Sequence, residues 1–153
     1  MESSVVEESN DMDTVQSLKL SQAGARKVLD EALGHAHRLG VHVTVSVVDD
    51  AGHLLTFARM DGVELYTIAI SQAKARGAAL TRFPTGKKSP TGNERTDHHA
   101  LAITLAAGTD SFVSIPGGVP IFSNKQLVGA IGVSGAGGND TEIARLCAAS
   151  FEQ

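Results

Sequence analysis

Valine occupies every odd position from Val41 to Val47, and His42, Thr44 and Ser46 stand between them. This strict two-residue period predicts a strand over 41–49 with one apolar face and one polar face that is exposed or lines an interface. Asp49-Asp50-Ala51-Gly52 reads as a turn and His53 to Arg59 as the returning strand, so the two make an antiparallel hairpin. Upstream the period changes. Ala25, Val28, Leu29, Ala32, Leu33 and Ala36 recur at three- and four-residue spacing, predicting a helix with Ser21 as N-cap and Gly40 just past its end. Val63 to Leu80 is apolar around most of its circumference and predicts a deeply packed second helix. Residues 81–96 have no period and many breakers, and read as a basic loop long enough for a lid or an interface arm. Asp97 to Ala107 predicts a short third helix, and Thr141 to Phe151 the last one. Between them Phe112–Ile115, Ile121–Ser123 and Leu127–Ser134 predict three strands, the last two joined by a tight turn at Asn124-Lys125. The order helix, two strands, helix, short helix, three strands, helix predicts an α+β fold. One antiparallel five-stranded sheet would carry the helices on its faces.

The most unusual stretch runs from Leu127 to Asp140. Neither face of its strand is polar, so the strand is expected to be covered on both sides. Gly135, Gly137 and Gly138 then form a loop. Asn139 is placed to cap the last helix, with Glu142 three residues on. Free N–H groups at such a loop attract anions. The stretch lacks the Gly-Lys-Ser/Thr of a nucleotide loop, the second glycine of a nucleophile elbow around Ser134, and a correctly spaced dinucleotide fingerprint. Pro116-Gly117-Gly118-Val119-Pro120 is a second backbone-exposing turn.

Two basic residues stand in apolar surroundings. Arg59 ends an apolar strand face and needs either Asp61 or an anionic ligand as partner, because an unpaired buried charge is costly. Lys74 lies mid-way along the apolar second helix, where it either snorkels to solvent or serves a site. The histidines give weaker signals. His35 and His37 point to opposite sides of their helix and cannot share a metal. His98-His99 lacks the flanking ligands of a metal site.

Composition changes this picture little. A chain of 153 residues fits one domain. Residues 1–16 hold five acidic residues and no basic one, and read as a disordered acidic tail before a domain over 17–153. The other 12 acidic residues nearly balance the 13 basic ones, so no nucleic-acid footprint is expected. No apolar run approaches a membrane span, and the acidic start has no apolar leader core; both favour a cytoplasmic protein. The single Cys147 has no disulfide partner and reads as a small buried hydrophobe.

Taken together, Val47-Val-Asp49 with Gly52-His-Leu, Arg59-Met-Asp61, Ala73-Lys74-Ala75, Pro116 to Pro120, and Gly129 to Gly135 followed by Asp140 resemble the haem-degrading domain family. That family includes GlcG-like and HbpS-like proteins and the C-terminal domain of PduO-type corrinoid adenosyltransferases. The resemblance covers residues 18–152. It implies a profilin-like domain, assembly into tetramers or octamers, and haem or a related tetrapyrrole as ligand, with slow haem breakdown. The adenosyltransferase catalytic domain has no counterpart here. Two functions follow. In the first the chain is a haem-binding module. Arg59, Lys74, Gly117, Gly118, Ser134, Gly135, Gly137, Gly138 and Asn139 would hold an anionic small molecule, and His35 would be the axial ligand. In the second it is an enzyme acting on a small organic acid, with Arg59 orienting a carboxylate and Lys74, Asp61 and Ser134 as catalytic groups. A third reading is a non-catalytic interaction protein built around the apolar second helix.

Overall fold

A computed structural model describes residues 13–152. Most of the acidic tail expected over 1–16 lies outside them. Four helices and four strands follow one another as α1 (Gln22–Leu39), β1 (Thr44–Asp49), β2 (Leu54–Arg59), α2 (Thr67–Thr81), α3 (Asp97–Ala107), β3 (Gly118–Ser123), β4 (Gln126–Ser134) and α4 (Asn139–Phe151). The fold is α+β, with an antiparallel sheet ordered β2-β1-β4-β3.

Local signals explain the ends of α1 and the first hairpin turn. The Ser21 hydroxyl accepts from the Gly24 N–H at 3.0 Å and opens α1. Gly40, at φ 66°, closes it by donating to Ala36 and His37. In the β1–β2 turn the Asp49 carboxylate accepts from the N–H groups of Ala51 and His53, both at 2.9 Å.

Two layers cover the sheet. Val45, Val47, Val119, Ile121, Ile131 and Val133 pack with Val28, Leu29, Ile143 and Cys147 of α1 and α4 in the main core. On the other face Val48 and Ala130 pack with Ala75, Ala78 and Ala79 of α2. The polar face of β1 therefore meets the protein's own helix. Thr44 bonds to Thr67 at 2.7 Å and Ser46 to Ser71 at 2.8 Å, all four buried. Each α2 hydroxyl also donates to a carbonyl one turn earlier, so the α2–sheet interface carries satisfied hydroxyl pairs.

Three expectations need correction. The sheet has four strands, because Phe112–Ile115 is not one. Phe112 is buried beneath the Arg95 guanidinium, which lies 5.3 Å from its ring centre. Strand β3 starts earlier than expected, at Gly118, and runs through Pro120. As an edge strand paired only with β4, it tolerates a residue without N–H. Finally β1 begins at Thr44, so Val41 and His42 precede the sheet.

Helix α3 stands apart. Thr96 caps it, accepting from the His99 N–H at 3.1 Å, yet none of its residues is buried. Leu101 and Leu105 are 59% and 71% exposed.

Candidate functional site

The glycine-rich loop and Lys74 form one construction. Lys74 is 1% exposed, so it does not snorkel. Its ammonium donates to the Val133 carbonyl at 2.7 Å and to Asp140 Oδ2 at 3.2 Å. The other carboxylate oxygen of Asp140 accepts from the Ala136 N–H at 2.9 Å. Asp140 belongs to the first turn of α4, where a negative charge suits the helix dipole. The anion that the loop amides attract is thus part of the chain itself. Burial pushes the Lys74 ammonium below its ordinary value; the charge of Asp140 and its hydrogen bond oppose that shift.

The Pro-Gly-Gly turn closes over this pair. A Cβ on Gly117 would lie 2.7 Å from the Val133 carbonyl oxygen and 2.9 Å from Lys74 Nζ. A Cβ on Gly118 would collide with the backbone carbonyl of Lys74. Gly118 is therefore explained by close packing on the α2 backbone, and Gly117 by its approach to the β4 carbonyl and the Lys74 ammonium. All three loop glycines are exposed; a Cβ on Gly135 would meet Val63 and the His42 carbonyl, whereas Gly137 and Gly138 have open space. Asn139 is the first residue of α4. Gly138 occupies the cap position without a side-chain bond, so the expected Asn139 cap does not form.

Arg59 lies elsewhere. It is exposed at the end of β2, opposite Thr44, which in turn stands opposite Ser134. With Leu33 and His37 of α1, His42, Ala58, Met60 and Asp61 it lines an open cleft of about 410 Å³. Among the described residues Arg59 and Asp61 make no ion pair with each other or with any third group. The Met60 sulfur accepts from the Val43 N–H at 3.4 Å, which holds Met60 to the residue just before β1. The cleft thus offers apolar walls, two imidazoles and a guanidinium, with a carboxylate at its rim.

The residues expected to act together are therefore divided. Arg59 and Asp61 share the cleft; Lys74 and Ser134 do not line it. Ser134 is buried at the end of β4. The small-acid enzyme reading needs all four in one place, and the arrangement does not provide it. His35 also has its own surroundings. Its Nε2 lies 3.5 Å from Glu31 Oε1 and its Nδ1 2.9 Å from Arg38 Nη2. Sequence reasoning passed over Asp140 as a partner and His37, His42 and Met60 as cleft residues. Asp140 carried one signal: an acid in a first helical turn after a glycine loop.

Fold and site together define a small α+β domain whose glycine loop is locked internally and whose cleft opens beside α1. Residues 20–149 match the family described as haem degrading protein HbpS-like, and the chain belongs to that family. Over 116 residues it is 36% identical to Protein GlcG of Escherichia coli K12, covering 75% of this chain and 81% of GlcG. Among solved structures it is similar to the protein ORFY of Klebsiella pneumoniae, with a TM-score of 0.77 and 26% identity over 91% of this chain and 94% of that one. A double mutant of Streptomyces reticuli HbpS gives a TM-score of 0.72 and 27% identity, covering 93% of each chain. No helix among the described residues is long and apolar enough to cross a membrane.

Proposed function

We propose that the protein binds haem, or a similar dianionic tetrapyrrole, in the cleft between the end of α1 and the end of β2. The observation that carries this reading is the convergence of His37, His42 and Arg59 on one cleft walled by Leu33, Ala58 and Met60. A macrocycle needs apolar contact for its faces, a nitrogen donor for its iron and a cation for its carboxylates. The family description points to the same class of ligand and adds breakdown of the macrocycle as the corresponding activity.

Haem titration tests this reading. A saturable, shifted Soret band is expected, and it should change in His37→Ala or His42→Ala. Arg59→Ala should weaken binding about fivefold, the size of an exposed charge pair worth ~1 kcal/mol. Spectra unchanged in both histidine variants would remove the cleft from the account.

The cleft of about 410 Å³ is open, so one subunit leaves part of a macrocycle uncovered. Self-association into a homo-oligomer completes the reading. The uncovered Leu101 and Leu105 of α3 are the surface such a contact would bury. Leu101→Asp with Leu105→Asp should reduce the mass seen by native mass spectrometry. The subunit's far-ultraviolet circular dichroism should stay unchanged, since both side chains are mostly exposed. An unaltered mass would place the contact elsewhere.

A further inference from the structure

Glu31 and His35 are four residues apart on α1 and so share one side of the helix. Glu31 Oε1 and His35 Nε2 approach to 3.5 Å. Cys147 comes across from α4, and one ligand atom from each of the three lies within 4.8 Å of the other two. The second oxygen of Glu31 is held in place, accepting from the Ser150 hydroxyl at 2.6 Å. A four-coordinate ion with bonds of ~2.0–2.3 Å has ligand–ligand edges of roughly 3.3–3.8 Å. The Glu31–His35 separation already falls within that span.

We propose that Glu31, His35 and Cys147 form a binding site for a borderline divalent transition metal such as Zn²⁺, with the fourth position open to water or an outside ligand. Carboxylate, imidazole and thiolate together suit such an ion better than Mg²⁺ or Ca²⁺, which prefer oxygen alone. Two anionic ligands neutralise the divalent charge. That matters at a fully buried sulfur. Burial, aided by the Glu31 charge, pushes the Cys147 thiol up to about 12, and a bound cation replaces its proton and removes that penalty. The glutamate and histidine side chains are 36% and 19% exposed, so the site opens to solvent on the α1 side. The Ser150 bond to Glu31 is the outer support that orients a carboxylate ligand. One contact must change. Arg38 Nη2 donates toward His35 Nδ1, but Nδ1 carries the proton once Nε2 binds a metal. Arg38 is exposed and free to swing away.

The site is separate from the haem cleft and is tested without haem. Co²⁺ is titrated into the reduced, metal-free full chain. One ion per chain is expected, with the near-ultraviolet charge-transfer band of a cobalt–thiolate bond and the strong visible bands of four-coordination, both bleached by Zn²⁺. Cys147→Ser should lose the charge-transfer band. Glu31→Gln and His35→Ala should each weaken Co²⁺ binding at least about tenfold, and His98→Ala with His99→Ala should leave it unchanged. Should Cys147→Ser fail to fold, the two α1 variants decide, because their positions are partly exposed. Absence of the charge-transfer band in the unaltered protein, or undiminished affinity in both α1 variants, overturns the proposal.

Discussion

Asp140→Ala is expected to destabilise the fold by about 3–5 kcal/mol, read as a fall in the urea midpoint, because it strands a buried ammonium without its counter-charge. Lys74 is 1% exposed and has two partners, the Val133 carbonyl and Asp140. Asp140→Ala also frees the Ala136 N–H inside the loop. Lys74→Met should cost less, since Asp140 keeps its bond to Ala136 and lies at a helix N-terminus that favours its charge. Combining Lys74→Met with Asp140→Leu should recover much of the loss, as buried pairs replaced by apolar residues often do. The pH dependence has a definite sign. Burial lowers the Lys74 value against its unfolded 10.5, so between the two the unfolded chain binds the extra proton. The Lys74 contribution to stability therefore rises with pH through that window. Lys74→Met should flatten this rise relative to the unaltered protein. Equal stability of Asp140→Ala and the parent would show that the pair is dispensable.

Gly132→Ala is the second large effect. Gly132 sits mid-sheet, opposite Ser46 on β1 and Gly118 on β3. A methyl there would overlap the Ser71 carbonyl and lie 2.5 Å from the Ala75 nitrogen. Both obstacles are backbone of α2, which cannot turn aside as a side chain can. The helix must lift, and the Thr44–Thr67 and Ser46–Ser71 hydroxyl pairs must part with it. A loss of at least about 3 kcal/mol is expected, at the upper end of overpacking costs. Gly137→Ala, with open space around its Cβ, serves as the comparison; its positive φ of 58° should cost only ~1 kcal/mol. A Gly132→Ala variant as stable as Gly137→Ala would contradict the close α2–β4 contact.

The parts of the fold legible in the chain are those with a local period. The β1–β2 hairpin and α1 follow from spacing and from turn or cap residues close in the chain, and α4 from spacing alone. The missing fifth strand shows the limit: the residues at 112–115 have strand composition, but they pair with none of the four strands. Pro120 misleads in the other direction, since a proline reads as a turn until its strand is known to be outermost. The site was less legible because its contacts are distant in sequence. Lys74 and Asp140 are 66 residues apart, and Glu31 and Ser150 are 119 apart. His42 looked like part of a strand's polar face. Because β1 starts two residues later, it joins the cleft instead.

Hydrogen–deuterium exchange with and without haem tests most directly where the guest resides. Protection confined to residues 33–42 and 58–61 is the result predicted for a macrocycle lying between α1 and the end of β2. Protection centred on residues 135–140, with those two segments unaffected, would contradict it and place the ligand at the glycine loop.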